Sequence, residues 1–465
     1  MQGKMKELGE LVHLFVSAFL FHFAAYMIIP ATTDITMEAL CPGQDACSLA
    51  IYLTGFQQAA TGFGAIIVTP LVGNLSDKYG RKTLLMLPTT ITVLPLAILA
   101  YNQTREFIYA YYAVKMVAGM FADGCMQCLS LAYVADRVCE RRRASAFAML
   151  LGVSTAGFVC GTLLARLLPV SSTFQVATVA AMATATYVRL FLEESNPCLA
   201  RDDEEINKPL CSTSSSSSSD GESLPRLTVL RKRPSLSEMI NLLTSSSTLS
   251  RAAVIAFFHS LGENGLHTAL LYYLKARFHF SKDQFADLLL IIGIVGTFSQ
   301  LTLMPFLAPK IDEEKLLTVG LLASCAHVFL YSIAWSYWVP YLAASFVMLS
   351  IFVNSCIRSI VSKKVGSTEQ GMAQGCITGV SSFASVICPL IFTPLTAWFL
   401  SDNAPFNFKG FSIMCAGFAT LTALVASVTI LTGELTAYEG STPADEEQNS
   451  GPILFSPRNR DDEIK

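Results

Sequence analysis

Long apolar runs that alternate with short polar loops are the dominant pattern along the chain. A helix needs about 20 apolar residues to cross the hydrocarbon core of a bilayer, so each run is interpreted as one membrane span. Twelve spans are predicted, at 11–33, 49–72, 83–101, 107–135, 145–168, 173–192, 250–275, 285–308, 316–334, 339–360, 370–398 and 410–432. The pattern therefore predicts an all-α polytopic membrane protein.

A long polar segment at 196–249 divides the spans into two groups of six. Its acidic, serine-rich and basic runs cannot bury a core, so we expect a disordered cytoplasmic linker. Near its end, Ser235 to Glu238 has the pattern of a capping box, which predicts a short amphipathic helix before span seven. The expected units are an N-terminal six-helix half at 1–195, the linker at 196–249, a C-terminal six-helix half at 250–433 and a disordered cytoplasmic tail at 434–465.

Basic loop residues indicate which side of the membrane each loop faces. An even number of spans places both termini on one side, and cytoplasmic loops are enriched in lysine and arginine. The basic residues that share one side are Lys78, Arg81, Lys82, Arg137, Arg141, Arg142, Arg143, Lys310, Lys315, Lys363 and Lys364. Both termini are therefore expected in the cytoplasm, while plasma membrane and endomembrane stay open as alternatives.

Composition agrees with a membrane protein. Hydrophobic residues make up 52% of the chain and charged residues only 14%, which argues against a water-soluble surface. The formal net charge of −3 gives no indication of a nucleic-acid partner. The expected partners are the lipid bilayer and a small-molecule substrate, with the chain acting as a monomer. Because a phosphate-binding G-x-x-x-x-G-K-[ST] loop is missing from the sequence, we expect no cofactor and a proton gradient as the energy source.

The loop between spans two and three carries the most specific motif. From Gly73 to Lys82 it has the pattern G-x-L-x-D-x-x-G-R-K, with Asp77, Gly80 and Arg81 at its other defined positions. It resembles the signature loop between helices two and three of the major facilitator superfamily. The resemblance implies two six-helix halves around a central cavity, with a gate at this loop.

Asp77 is the expected latch of that gate. The predicted start of span eleven, near Gln370, supplies free backbone N–H groups and the positive end of a helix dipole. A carboxylate placed opposite would hold the two halves together on the cytoplasmic side. The alternative is that Asp77 only caps span three.

Other segments extend the resemblance along nearly the whole membrane portion. Lys115 and Gly119 occupy the places of an R-x-x-x-G pattern, and Glu369 to Gly375 is very similar to tetracycline antiporters. Among eukaryotic families, the chain is similar to the hippocampus-abundant-transcript-like transporters. Tetracycline antiporters carry acids where this chain has Ser324 in span nine and Phe21-His22 in span one. The resemblance thus implies a drug:proton antiporter type of transporter with a cargo other than tetracycline.

Span seven contains the preferred candidates for proton coupling. His259, Glu263 and His267 follow at intervals of four residues and therefore share one helical face. Histidine gains and loses a proton near neutral pH, and ionisable groups at membrane depth persist mainly where they face a cavity or one another. The alternative is that the three side chains only hydrogen-bond neighbouring helices; a metal site is not expected. Gly262 and Gly265 predict a bend or break in this helix.

Span four contributes Lys115 and Asp123, which lie eight residues apart and are too distant along the helix to pair directly. Lys115 could hold an anionic group on the substrate, or both residues could form structural ion pairs with other helices. Arg358 is expected to snorkel to the cytoplasmic interface. Weaker candidates for the cavity lining are His22, Gln57 and Gln300.

Two loops suggest covalent modifications. Cys41 and Cys47 share a polar loop predicted to face the lumen or exterior, where a short-loop disulfide is a candidate. Asn102 begins a glycosylation sequon on the same side, although its position directly after span three disfavours occupancy.

The sequence as a whole predicts a secondary active transporter that moves a small organic solute by alternating access, coupled to protons. A transporter-like sensor or scaffold that binds solute without moving it is the alternative. An enzyme is not expected, because no nucleophile, base and orienting group occur together in the sequence.

Overall fold

The computed structural model describes residues 2–40, 48–195, 236–280, 282–400, 404–405 and 408–439. Most of these residues lie in helices joined by short loops. Spans one to six are Gln2–Leu40, Ser48–Tyr79, the pair Arg81–Ile91 and Val93–Tyr101, the pair Arg105–Phe121 and Asp123–Arg137, Glu140–Leu167 and Val170–Phe191.

The second six spans follow the same plan. Spans seven to twelve are Ser247–Phe278, the series Lys282–Phe298, Ser299–Leu303 and Met304–Leu307, then Glu313–Ser332, the series Val339–Ser345, Val347–Ser350 and Phe352–Lys364, then Gln370–Leu400 and Phe411–Glu439. A short helix at Ser367–Glu369 leads into span eleven.

Within the described residues, ten of these spans are long and apolar enough to cross a membrane. The two that fall short are span six and span seven. Span six carries several threonines together with Gln175 and Arg189, and span seven carries the ionisable candidates His259, Glu263 and His267. One of the two spans that fall short is therefore a span that holds candidate functional residues.

Helix packing separates two halves and joins them at a few seams. Span one packs against spans five and six, and span seven packs against spans eleven and twelve. Between the halves, spans two and four contact span eleven, while span five contacts spans eight and ten. Lipid tails are as apolar as leucine, so close packing rather than apolar burial must stabilise such seams.

Two spans are interrupted near candidate residues. Span four changes direction at Ala122, whose backbone is not helical (φ −90°, ψ −94°) and which directly precedes Asp123. Span eight contains a π-helical turn at Ser299–Leu303, shortly before Pro305, whose ring removes a donor from the helical ladder. Such turns are frequent at functional sites, and this one includes Gln300.

Span seven is one continuous helix from Ser247 to Phe278, so the prediction is wrong where it allowed a break, and a bend stays a prediction. Its glycines serve close packing instead. A Cβ on Gly262 would collide with Thr420 and with the Ala416 carbonyl of span twelve, and one on Gly265 would collide with the ring of Phe392 in span eleven. Asn264 does not disturb the helix, because its side-chain amide donates to the carbonyl of Ser260 on the preceding turn.

The predicted short helix before span seven is present at Leu236–Ser245, and we call it the linker helix. Leu242 and Leu243 pack against Met372 and Cys376 of span eleven, and Leu71 of span two packs against the same two residues. The linker helix therefore contacts the C-terminal half beside the seam between spans two and eleven. The remainder of the predicted linker, the tail from residue 440 and the Cys41–Cys47 pair lie outside the described residues.

Candidate functional site

Asp77, near the end of span two, bridges the two halves by contacting the start of span eleven. Its Oδ1 accepts a hydrogen bond from the backbone N–H of Gly371, and its Oδ2 accepts one from that of Met372, each at 2.9 Å. Both donors belong to the first turn of span eleven, where N–H groups lack intrahelical partners and the helix dipole is positive. The carboxylate thus contacts the backbone N–H groups at the start of span eleven, as the sequence predicts. Its role in gating stays a prediction.

Two glycines allow this approach. A Cβ on Gly73 would collide with the carbonyl of Gly371, and a Cβ on Gly371 would collide with the carbonyl of Gly73. Spans two and eleven therefore cross backbone against backbone beside Asp77. Small residues at a helix crossing permit this kind of close contact inside a membrane.

Arg81 holds Asp77 in position. Its guanidinium is 1% exposed and lies 2.5 Å from Asp77 Oδ1 and 2.9 Å from Asp136 Oδ2. It also donates to the hydroxyl of Ser76 at 2.6 Å. Two carboxylates therefore share one guanidinium. The Asp77 carboxylate also faces the positive end of span eleven, which favours the contact between the two halves.

Glu194, at the end of span six, caps span three. Its carboxylate accepts hydrogen bonds from the backbone N–H of Arg81 at 2.6 Å and of Lys82 at 3.1 Å. Gly80 precedes these donors with φ +100°, a backbone region that favours glycine. Because Glu194 fills the capping position, Asp77 is available for span eleven. The sequence analysis missed Glu194, since only tertiary structure brings residues so distant in sequence together.

A cavity of about 690 Å³ lies next to Asp77. Polar residues that line it include Asp77, Lys78, Asn241 and Glu369, so the linker helix forms part of its wall. The cavity gives water a route to the edge of the seam. Because Asp77 borders this cavity, we expect a substitution that removes its charge to alter the contact between the two halves.

Replacement of Asp77 by asparagine is expected to open the cytoplasmic side. Hydrogen bonds to charged groups contribute about 1.5–3 kcal/mol each, so weakening two of them should raise the inward-open population by roughly 10-fold or more. The measurement is the distance distribution between spin labels at Arg189 and Lys364, on the cytoplasmic ends of opposite halves, in a variant without other reactive cysteines. Glu140→Gln, which removes an exposed carboxylate on the same side, is the matched control. An unchanged distribution in Asp77→Asn would contradict the latch.

Arg358 does not snorkel, which corrects the expectation from sequence. It is only 4% exposed. Nη1 donates to Gln374 Oε1 at 3.3 Å and to Thr378 Oγ1 at 3.2 Å, and Nη2 donates to Gln127 Oε1 at 3.2 Å. Side-chain oxygens from spans four and eleven hold the guanidinium inside the protein, so it cannot reach the interface.

On the face of span seven that carries the candidate residues, side-chain exposure increases along the helix from His259 through Glu263 to His267. His259 is 0% exposed, the side chain of Glu263 is 38% exposed, and His267 is exposed. His259 Nε2 lies 3.6 Å from Glu263 Oε2, and neither ring nitrogen of His259 has a hydrogen-bond partner within the described structure. A buried imidazole next to a partly open carboxylate can exchange a proton with it after a small side-chain movement.

His327 of span nine adds a fourth titratable group, which the sequence analysis missed. It is buried, its Nδ1 lies 2.7 Å from the carbonyl oxygen of Ala343, and Glu263 and His267 both act on it electrostatically. The only signal in the sequence was a histidine within an apolar span, one turn after Ser324, where tetracycline antiporters carry an acid. The candidate proton site therefore involves two helices.

Lys115 is half-buried in span four and donates to the hydroxyl of Tyr111 at 2.8 Å. It has no carboxylate partner among the described residues. A cavity of about 140 Å³ between spans one, three and four is lined by Lys115 together with Tyr26, Pro95 and other largely apolar residues. The side chain of Asp123 lies outside the part of the chain that the structure describes.

The weaker candidates each contact a neighbouring side chain. His22 stacks on Tyr26, one of the residues that line the Lys115 cavity. Gln57 donates to Thr61 at 2.9 Å within span two. Gln300 accepts a 3.4 Å hydrogen bond from Thr155, which links spans eight and five across the halves. Their place in the cavity lining stays a prediction.

Asn102 is exposed, and its Oδ1 accepts a hydrogen bond from the backbone N–H of Thr104 at 3.2 Å. Nothing in the structure tests whether the sequon is used. Across the described residues, no group of three or more His, Cys, Asp or Glu side chains is arranged to hold a metal ion.

Two six-helix halves that meet where Asp77 contacts the start of span eleven have the architecture of a polytopic membrane transporter. The Major Facilitator Superfamily profile matches residues 14–389, and the chain belongs to this family. The human hippocampus abundant transcript 1 protein is 23% identical over 384 residues, covering 82% of this chain and 72% of its own. The class E tetracycline resistance protein of Escherichia coli is 25% identical over 331 residues, covering 70% and 74%.

Solved structures share the fold. The human organic anion transporter MFSD10 superposes with a TM-score of 0.71 at 18% identity, covering 90% of this chain and 99% of its own. A double-tryptophan mutant of XylE gives 0.67 at 16% identity, covering 90% and 95%. The fold class expected from the sequence is confirmed, and the chain is an integral multi-pass membrane protein of a transporter family, not of an enzyme family.

Proposed function

We propose that this protein is a proton-coupled secondary active transporter of small organic anions that works by alternating access. The observation that carries the proposal is Lys115, a lysine at membrane depth that has no carboxylate partner among the described residues and that faces a cavity lined by aromatic and apolar groups. A buried cation is stable when an anion accompanies it. An organic anion with an apolar body and a carboxylate matches both the charge of Lys115 and the apolar lining of the cavity.

Proton coupling is assigned to Glu263, with His259, His267 and His327 as its neighbours. These groups can take up a proton when they are exposed on one side and release it on the other. The energy source is then the proton gradient, and a cofactor has no role. A proton:xylose symporter among the solved structures of the same fold, and the tetracycline resistance proteins among the relatives, make a transport cycle of this type a reasonable model.

The test is counterflow in liposomes. The purified full-length protein is reconstituted with a high internal concentration of an unlabelled aromatic carboxylate, and entry of the same labelled compound is followed over a panel of such compounds. Transient accumulation of at least one carboxylate, but not of its neutral amide, is the expected result. Saturable binding without counterflow would identify a sensor or scaffold, and accumulation of the amides alone would overturn the anion assignment.

A further inference from the structure

Arg358 is a second buried cation, and the residues around it leave its charge uncompensated. Gln127, Gln374 and Thr378 provide three neutral oxygens, and Nε is buried without a hydrogen-bond partner among the described residues. Within the described structure, no carboxylate lies within ion-pair distance of the guanidinium. Neutral dipoles solvate a charge, but they do not cancel it.

Arg81 is another buried arginine of this protein and has a different environment. It is buried to a similar degree, and two carboxylates, Asp77 and Asp136, neutralise it. An isolated buried charge is costly, and proteins usually pair it with an opposite charge. The unusual feature of Arg358 is therefore the missing anion.

The position of Arg358 suggests when an anion could arrive. Its partner Gln127 belongs to the N-terminal half, whereas Gln374 and Thr378 belong to span eleven of the other half. Gln374 lies three residues after Gly371, about 5 Å further into the membrane from the latch along the helix. When spans four and eleven separate on the cytoplasmic side, the guanidinium loses Gln127 and becomes accessible to water.

We propose that Arg358 binds the carboxylate of an organic anion in the inward-open state. A planar guanidinium with freed donors matches a carboxylate in both charge and geometry. This inference rests on the proposed transport of anions and assigns the cytoplasmic binding position of the same route, whereas Lys115, twelve residues before Gln127 in span four, lies further from the latch. Substrate would leave Lys115 and meet Arg358 before it reaches the cytoplasm. Closure of the latch then removes the site by restoring the contact with Gln127.

The experiment measures binding and does not depend on transport. Purified full-length protein with Asp77→Asn, which opens the latch, and Lys115→Gln, which removes the other proposed carboxylate site, is heated with increasing sodium benzoate, and the unfolding midpoint is recorded. A saturable rise in the midpoint is expected with benzoate and not with benzamide, its neutral analogue. The rise should be lost in Arg358→Gln, which keeps hydrogen-bonding capacity without charge. Arg358→Lys should need at least fivefold more benzoate for half of the effect.

Two controls test whether the effect is specific to Arg358 and to organic anions. Arg251→Gln removes an exposed guanidinium of span seven that donates to the carbonyl of Thr429, and it should leave the benzoate effect unchanged. Sodium sulfate at equal ionic strength tests an inorganic oxyanion, and an equal effect of sulfate would overturn the assignment to organic anions. An undiminished benzoate effect in Arg358→Gln would overturn the site itself.

A second readout covers the case in which Arg358→Gln folds poorly. Cys128 is buried within electrostatic reach of Arg358. With the other cysteines replaced by serine and the latch opened by Asp77→Asn, an anionic methanethiosulfonate should react with Cys128 faster than a cationic reagent of similar size. Arg358→Lys should preserve that preference, and Arg358→Met should reduce the rate ratio at least fivefold. An unchanged ratio in Arg358→Met would contradict the proposal, whether or not transport is ever observed.

Discussion

Replacement of Glu263 by glutamine is expected to abolish uptake driven by a pH gradient while leaving exchange at equal pH intact. Glutamine keeps the size and hydrogen-bonding capacity of the side chain but carries no exchangeable acidic proton. Of the titratable groups on this face, Glu263 lies between a buried histidine, His259, and an exposed one, His267. Its loss should therefore interrupt proton transfer along the face and uncouple substrate movement from the gradient.

The measurement uses proteoliposomes and a labelled aromatic carboxylate that gives counterflow. Uptake is followed with and without an imposed pH difference, and proton movement is followed with an internal pH-sensitive dye. Glu106→Gln, an exposed carboxylate at the outward start of span four, is the matched control and should behave as the unaltered protein. Concentrative uptake at the normal level in Glu263→Gln would refute the assignment of proton coupling to this residue.

Replacement of Lys115 by glutamine is expected to raise the KM for carboxylates at least 10-fold with little change for neutral analogues. A hydrogen bond to a charged group contributes about 1.5–3 kcal/mol, and each 1.4 kcal/mol corresponds to about a factor of 10 in affinity. Lys115→Arg should retain much of the affinity, because the positive charge remains. Tyr111, whose hydroxyl accepts the lysine hydrogen bond, should keep the cavity wall in place in both variants.

Initial rates of carboxylate and amide entry in the same liposomes give the KM values for this comparison. The matched control is Arg105→Gln, which removes an exposed cation at the outward end of the same span and should leave both KM values unchanged. A structural role for Lys115 would raise the KM for carboxylate and amide alike. Such a parallel loss would remove the main support for an anionic substrate.

The spans and their order could be predicted from sequence because the bilayer imposes a minimum length and an apolar composition on each spanning segment. The latch could be anticipated as well, since the glycines, the acid and the basic residues of the loop lie close together in sequence. Asp77 indeed lies against Gly371 and Met372. These features depend on the local sequence and on the lipid bilayer, and little on which distant side chains pack together.

Features that depend on long-range neighbours could not be predicted. Glu194 caps a helix that begins 113 residues earlier in the chain, and His327 joins the span seven face only because spans seven and nine pack together. Arg358 was assigned to the interface because basic residues follow it closely, whereas Gln127, Gln374 and Thr378 hold it inside. Its burial depends on contacts that no local pattern encodes.

Span seven illustrates a different error. Glycines beside Asn264 can signal a flexible point or a close helix contact, and the sequence does not distinguish the two. The structure shows close contacts with Thr420 and Phe392 and a continuous helix. Span seven is therefore continuous where the sequence allowed a break, and its glycines permit close contact with spans eleven and twelve.

The glycine crossing at Gly73 and Gly371 makes cytoplasmic closure depend on the absence of side chains. Adding even one methyl group at either position would act as a wedge, so alanine scanning here would bias the protein toward one side of its cycle without touching the cargo path. Contact between two backbones is also indifferent to salt and pH. The fold thus separates a fixed steric stop, which defines the closed position, from the Asp77 carboxylate, through which ions and protons can adjust how long that position is held.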